Sequence, residues 1–374
     1  MKITILGAGN AGCSSALHYF YHRLELNYKV ELELIYDPKI KPVPTGQGTT
    51  LDFPKLLSTS LLVNYVNNFP TTIKTGIMYE NWGNEEKHFH GFTNGDFGIH
   101  FNPEDFQNFV CKNLPIKIKK SKVIDYNSID SDYIIDCRGA PKDLKEYEKL
   151  VNPLNSALLG TLNKKENDVL WTRTIATKDG WCFYIPLPDK TSVGYLYNSS
   201  ITEEKKAKIN FKKLFNKIKI NQTFPFKQYI AKEPIIDNRV LLNGNKLFFL
   251  EPLEATAMGG YLAMCRFYWD YMFNNVSKEI TTLKIKDYVY KIQNFILWHY
   301  KNGSKFNTNF WIYAKALWQK HNPQDINHIK MLLKSMNEES LQKSFKNSNL
   351  QYAQWTEWSF LNWYNKMEKH YDIK

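Results

Sequence analysis

Lys2-Ile3-Thr4-Ile5-Leu6-Gly7-Ala8-Gly9-Asn10-Ala11-Gly12 carries the clearest local signal in the chain. An apolar run with β-branched residues predicts a strand over Ile3–Leu6. Glycines at Gly-x-Gly-x-x-Gly spacing follow it, then a helical pattern through Ser14–Leu24, then a second strand Val30–Tyr36 ending in Asp37. This is the βαβ dinucleotide fingerprint in the context it requires. Gly7 permits a tight turn, Gly9 lets backbone approach a pyrophosphate, and Gly12 allows the helix to pack closely on the strand. With Ala8, Asn10 and Ala11 these residues form the expected cofactor-binding turn, phosphates at the helix N-terminus. Asp37 is placed to accept hydrogen bonds from an adenosine ribose.

The 374 residues allow two or three folding units. An apolar content of 43% with 15% aromatics excludes a disordered chain, and no run approaches the ~18 apolar residues of a membrane-spanning helix. The early strand leaves no room in this sequence for a leader, so a cytoplasmic protein is expected. Cys13, Cys111, Cys137, Cys182 and Cys265 are odd in number and scattered, which argues against a disulfide framework and against a zinc site. The net charge of +12 clusters at Lys117–Lys120, Lys205–Lys219 and Lys284–Lys291. Acids interrupt these runs and no nucleic-acid module signature accompanies them, so attraction of a polyanionic cofactor or substrate accounts for them equally well.

After Asp37 a loop from Lys41 to Thr50 carries Gly46 and Gly48, which let backbone approach a flat ligand, and a helix is expected over Phe53–Leu62. Thr71–Trp82 reads as one β-branched strand holding a single lysine, Lys74, between Ile73 and Ile77. Such a lysine is either an edge cation or a functional amine whose charge burial adjusts. His88 and His90 have metal-like spacing, but no further ligand set goes with them, so structural or substrate-contact roles are expected for them and for His100. Phe106–Lys112 reads as a short helix, and Asp132–Gly139 as a buried strand ending in a turn. Residues 169–200 alternate like antiparallel strands, with Trp181 and Phe183 in Gly180–Leu187, and form the expected substrate-side sheet. A lysine-rich helix over Glu203–Lys219 and strands around Thr223–Ala231 and Val240–Leu250 come next. From Gly259 the chain reads as helical, its tryptophans mostly serving as packing. The expected organisation is a cofactor domain over 1–145, an inserted antiparallel sheet over 146–242, a return to the cofactor domain over 243–273, and a helical cap over 274–374.

Glu251-Pro252-Leu253-Glu254-Ala255-Thr256-Ala257-Met258 sits between a strand and a helix start. Free N–H groups of a first helical turn favour an anion, so Thr256, Ala257 and Met258 offer an anion site with the carboxylate of Glu254 beside it. The alternative is a plain connection in which Pro252 sets the turn and both glutamates are solvated.

Four motifs taken together resemble the flavin-dependent halogenases of the tryptophan halogenase family: Gly7-x-Gly9-x-x-Gly12, the Thr72–Ile77 strand leading to Trp82, Gly180–Pro186, and Glu251–Thr256. The likeness extends to His100-Phe101, Ile135–Cys137, Gly194–Ser200 and His299-Tyr300 leading to Phe310-Trp311. It implies an α/β fold, Rossmann-like and of the FAD-binding flavoprotein-monooxygenase type, with the inserted antiparallel sheet and a C-terminal helical cap. It also implies a chemistry in which a separate reductase supplies FADH2, and reduced FAD with O2 oxidises a halide ion to hypohalous acid. By this resemblance Lys74 delivers electrophilic halogen and Glu254 orients it and accepts the ring proton. The backbone of Thr256 and Ala257 holds the halide, Met258 and Gly46 contact the flavin, and Trp181, Phe183, His90, Phe310 and Trp311 lie on the substrate side. The implied substrate is a small aromatic molecule, and a homo-oligomer is compatible with the sequence.

Several positions depart from the family pattern. Phe183 replaces the second tryptophan of Trp-x-Trp-x-Ile-Pro, Ala255 the serine after the glutamate, Ala257 the glycine of the halide turn, and Thr49 the acid of the Gly-x-Gly-Glu loop. Only a few residues separate His90-Gly91-Phe92 from His100, where relatives insert a long loop, and the cap is short. Both features favour an electron-rich aromatic other than free tryptophan, or a larger or carrier-bound one. A flavin monooxygenase or oxidase of the same fold is the alternative activity.

Overall fold

The computed structural model describes residues 1–61, 68–83, 85–92, 95–165, 168–335, 352–355 and 357–368. Contacts divide the chain into two units. The first comprises Met1–Lys74, Asp96–Leu150 and Gln228–Asp287, the second Thr75–Gly95, Val151–Lys227 and Tyr288–Lys374.

In the first unit, β1 (Lys2–Leu6) is flanked in parallel by β2 (Glu31–Tyr36) and by β9 (Tyr133–Asp136), with Leu6 opposite both Ile35 and Asp136. β8 (Lys117–Lys120), β18 (Val240–Leu242) and β17 (Ile235–Ile236) complete a sheet of order β17-β18-β9-β1-β2-β8. Ile3, Ile5, Leu34, Ile134 and Ile135 are buried in it, as an apolar run covered on both faces requires. Helix α1 (Asn10–Glu25) begins four residues before the expected Ser14, because Gly9, with extended backbone, is itself the N-cap. The fingerprint glycines differ in their steric surroundings. Gly7 has φ +93° and a Cβ there would stand 2.9 Å from the Cys137 carbonyl oxygen, while a Cβ on Gly12 would stand 1.7 Å from that of Gly7. A Cβ on Gly9 would meet nothing within 4 Å.

A second, three-stranded sheet of the same unit has the order β3-β7-β4, formed by β3 (Gln47–Gly48), β7 (Gly98–Phe101) and β4 (Thr71–Lys74). A third joins β10 (Tyr147–Lys149), β16 (Tyr229–Ala231) and β19 (Phe248–Phe249). Helices α2 (Asp52–Leu61) and α3 (Pro103–Asn113) pack Phe53, Phe106 and Phe109 around Phe69 and Phe101. Leu62, the expected end of α2, lies outside the described residues.

The second unit is built on a seven-stranded sheet of order β15-β11-β14-β13-β12-β5-β6. Its strands are β5 (Gly76–Glu80), β6 (Lys87–Gly91), β11 (Ser156–Asn163), β12 (Thr172–Thr177), β13 (Gly180–Pro186), β14 (Lys190–Tyr197) and β15 (Lys219–Pro225). All pairings are antiparallel except β12 with β5. Helix α4 (Glu204–Leu214) buries Ala207 and Phe211 against Leu158, Tyr195 and Tyr197 and turns its lysines to solvent.

Four expected elements are shorter or divided. Thr71–Trp82 breaks at Thr75, with β4 in one unit and β5 in the other. The lysine-rich helix stops at Leu214, where Lys217 takes φ +68° and turns the chain into the edge strand β15. Thr223–Ala231 divides after Pro225, which has no N–H to extend a ladder. Val240–Leu250 is interrupted by a turn at Gly244, φ +63°, whose N–H donates to Asn243 Oδ1 at 2.7 Å. The C-terminal third is helical: α5 (Thr256–Phe273), α6 (Lys278–Asn302), α7 (Asn309–His321), α8 (Gln324–Ser335) and α9 (Glu357–Trp363). Trp269, Trp298, Trp311, Trp318, Trp355 and Trp363 are buried, as packing residues should be, while the side chain of Trp358 lies outside the described set. Among the described residues no helix is long and apolar enough to cross a membrane.

Phe183 pairs across the strands with Gly194, and its ring occupies the space a side chain there would need, 2.2 Å from a Cβ on Gly194. Gly194→Ala is therefore expected to lower the unfolding free energy by roughly 1–3 kcal/mol, the range for overpacking. Urea denaturation checks this, and an unchanged midpoint contradicts the close approach.

Candidate active site

The edge strand β4 ends in Lys74, a lysine only 2% exposed. It sits opposite Gly98 in the register of β4 on β7, and β3 brings Gly48 to the other side of β7. The two glycines make the slot that holds the side chain. A Cβ on Gly48 would lie 3.4 Å from Lys74 Nζ, and one on Gly98 3.5 Å from its Cδ. At the end of the slot Lys74 Nζ donates to the carbonyl oxygen of Thr49 at 3.3 Å.

Burial pushes the Lys74 amine down from the ordinary lysine value to about 8, and the charge of Glu254 acts in the opposite direction. His100, fully buried on β7, lies at the same slot, its ring 3.4 Å from where a Gly48 Cβ would be. Its Nδ1 is 3.2 Å from Thr72 Oγ1. Burial first, and the Lys74 charge second, hold His100 well below the ordinary histidine range, so it is neutral. This assigns the histidine a structural place beside the lysine.

Glu254 reaches the lysine's field from an unusual backbone. Pro252, Leu253 and Ala255 form one tight turn, with the Ala255 N–H donating to the Pro252 carbonyl at 3.1 Å. Within it Glu254 (φ 67°) and Ala255 (φ 55°) both take the left-handed conformation, about 1–2 kcal/mol unfavourable for each such residue. Helix α5 then starts at Thr256, so that its first turn holds Thr256, Ala257 and Met258, with no side-chain cap. The N–H groups of Thr256, Ala257 and Met258 are those of a first turn, which have no intrahelical acceptor. The glutamates are not both solvated as a plain connection would have them. Glu251 is fully buried, its N–H donating to Gln228 Oε1 at 3.3 Å and its carbonyl accepting from Thr256 Oγ1 at 3.4 Å, while Glu254 is half-buried. Met258 is buried and Ala257 half-buried.

The fingerprint turn fits a dinucleotide. Its uncapped helix start, the open space over Gly9 and the buried, unpartnered Oδ1 of Asn10 converge there. The two ends of that amide are interchangeable by rotation, so either a donor or an acceptor can be presented. Ala8 is held by Gln107 Nε2 and Cys13 Sγ, both donating to its carbonyl, at 2.9 and 3.2 Å. Asp37 follows β2 directly and accepts from the Lys39 N–H at 2.9 Å; Ala11, Gly12 and Gly46 are buried.

The residues expected on the substrate side all fall in the second unit, in three local contacts. Trp181 and Phe183 meet edge to face at 6.3 Å, Phe310 and Trp311 at 5.2 Å, and His90 Nδ1 lies 2.9 Å from Asn362 Nδ2. Trp311 donates to the Thr177 carbonyl at 2.7 Å and is only 1% exposed, so packing is its first role. Among the described residues no three His, Cys, Asp or Glu side chains gather as a metal set. Sequence reasoning did not assign the slot glycines Gly48 and Gly98 or the carbonyl of Thr49. The only signal was a glycine on each strand facing the lysine, legible once the register is known.

The family described as tryptophan halogenase matches over residues 2–114 and 98–364. The fold is similar to that of a flavin-dependent halogenase from Xanthomonas campestris (TM-score 0.78, 16% identity, 96% of this chain and 87% of that one). It is also similar to a tryptophan halogenase from Shewanella frigidimarina (0.76, 17%, 98% and 89%) and to BrvH, a flavin-dependent halogenase from Brevundimonas sp. BAL3 (0.74, 14%, 97% and 89%). At such identities the structural likeness is one of fold.

A lysine whose folded pKa lies below its unfolded value binds fewer protons when folded, so stability rises with pH between about 8 and the ordinary lysine value. Below pH 8 the buried charge opposes folding by about 3 kcal/mol at most. Lys74→Met is accordingly expected to be more stable than the parent at pH 7, by roughly 1–3 kcal/mol, with the gap closing as pH rises through 8 towards 10.5. Chemical denaturation at a series of pH values measures it.

Proposed function

The chain belongs to the tryptophan halogenase family, and on that premise we propose that it is an FADH2-dependent halogenase acting on an electron-rich aromatic substrate, an indole or a phenol. The carrying observation is a buried amine that feels a neighbouring carboxylate, in the same unit as the fingerprint turn and an uncapped helix start. Reduced FAD and O2, with a separate reductase as the source of the reduced form, supply the oxidising power that converts halide to hypohalous acid.

The chain's own residues do the rest. Gly7–Gly12 and Asp37 bind the dinucleotide by first-turn N–H groups and a ribose contact. The first-turn N–H groups of Thr256 and Ala257 hold the halide without a cationic side chain, the positive end of α5 adding a favourable field. Met258 and Gly46 are the proposed flavin contacts. Lys74 directs the electrophilic halogen. With a pKa near 8 about a tenth of the amine is neutral at pH 7. The ammonium form donates a hydrogen bond to hypohalous acid, and the neutral form is the one able to take up halogen as a haloamine with release of water. Glu254 holds the ammonium form in place and accepts the proton that the aromatic ring loses. Exclusion of water around Lys74, shown by its burial, strengthens each of these electrostatic contacts.

The test is mass spectrometry of an aromatic library turned over with FAD, a reductase and chloride, bromide or iodide. Halogen isotope patterns that appear only with halide are expected, lost in Lys74→Met and reduced roughly 100-fold or more in Glu254→Gln. Hydroxylated product at every halide concentration would instead identify a monooxygenase, and halogenated product undiminished in Lys74→Met would overturn the lysine's role.

A further inference from the structure

Thr49 meets the lysine slot through three separate atoms. Its N–H donates to the Ile99 carbonyl at 3.0 Å, its Oγ1 accepts from the Ile99 N–H at 2.9 Å, and its carbonyl accepts from Lys74 Nζ at 3.3 Å. It is 1% exposed and follows the last residue of β3. The hydroxyl thus closes the β3–β7 ladder one residue beyond the backbone pairing, by supplying the acceptor that the Ile99 N–H lacks once the strand ends. That lock also fixes the carbonyl that receives the amine.

The geometry points to Thr49 as a positioning residue for the proposed reaction, one that sets where the Lys74 amine stands by clamping its acceptor to β7. The inference rests on the reading of Lys74 as the residue that delivers halogen. Glu254 from the turn before α5 supplies a negative charge, and His100 from β7 stays neutral. The Thr49 carbonyl is an acceptor next to the amine's own sheet, and a hydrogen bond donated by the ammonium favours the charged form. No side-chain bulk competes for the position, because Gly48 and Gly98 border the slot, and a Cβ on Gly98 would come within 2.9 Å of the Thr49 carbonyl oxygen. A small movement of Thr49 therefore changes both the direction of the amine and its readiness to hold a proton.

Thr49→Val keeps the shape and removes the acceptor of the Ile99 N–H. It is expected to lower kcat roughly tenfold, the scale of one lost orienting hydrogen bond, with KM for aromatic and halide changed less than about twofold. The Lys74 titration midpoint, read from the 13Cε shift of labelled lysine and assigned by its absence in Lys74→Met, should move down by roughly half a unit or more. Thr49→Ser, which keeps the hydroxyl, rescues both quantities. Thr49→Ala serves the same comparison where the valine variant fails to fold. A wild-type midpoint and kcat in the folded Val or Ala variant overturn the proposal, as does a serine variant no better than valine. The titration needs no turnover. Halogenation surviving in Lys74→Met therefore sinks the functional reading alone, while an unmoved midpoint sinks the role of Thr49 alone.

Discussion

The site depends on the removal of one lysine amine from water. An ammonium ion loses several kcal/mol of effective hydration on burial unless hydrogen bonds and opposite charge replace it. Here the replacements include the backbone carbonyl of Thr49 and the field of Glu254, and burial outweighs them, since the amine is left at about 8. Three strands, two glycines and a neutral histidine are arranged around that residual deficit. Groups whose desolvation and charge partners pull against each other cluster at functional sites, and Lys74 is such a group.

The second half of the arrangement also carries stored free energy. Glu254 and Ala255 are adjacent non-glycine residues in the left-handed region, and together they cost about 2–4 kcal/mol. What overdetermines them is visible on either side. Glu251 and Leu253 are anchored in the interior, and α5 buries most of its length from Thr256 to Trp269. The chain must turn sharply between those anchors, and the turn that results leaves the glutamate half-buried and the helix start uncapped. A serine, threonine or aspartate at the N-cap would have satisfied one of the first-turn donors and stabilised the helix by about 1 kcal/mol. Ala255 supplies no such cap, and the helix start has no side-chain cap hydrogen bond.

What the sequence discloses follows from the range of the forces involved. The fingerprint turn was legible to the level of individual glycines, because the reasons for Gly7, Gly9 and Gly12 are local steric ones. The first helical turn at Thr256–Met258 is legible from the position of Pro252 and the apolar run that follows, whereas the left-handed backbone of Glu254 and Ala255 has no signal in the sequence. The break of Thr71–Trp82 at Thr75 was not legible. Both halves have the composition of a strand, and only long-range pairing, of β4 with β7 and of β5 with β12, assigns them to different sheets. Lys74 stood out as a lysine among β-branched residues, but its choice between edge cation and buried amine was settled by Gly48 and Gly98, which lie 26 and 24 residues away.

Thr49 brings a neutral acceptor, its backbone carbonyl, to the Lys74 amine, while its hydroxyl accepts from the Ile99 N–H. A carboxylate about 4 Å from an ammonium interacts by about 4 kcal/mol at an effective dielectric of 20, enough to raise a lysine pKa by about three units. A carbonyl dipole at similar range contributes a fraction of that, on the order of one neutral-acceptor hydrogen bond to a charged donor, about 1.5–3 kcal/mol. Burial lowers the Lys74 pKa and the charge of Glu254 opposes it, so the lysine's protonation responds to the position of that carboxylate. That position is set in turn by the strained turn before α5. The charge state of Lys74 is thus coupled to backbone geometry at Glu254 and Ala255, in a turn that belongs to none of the strands of the lysine's sheet.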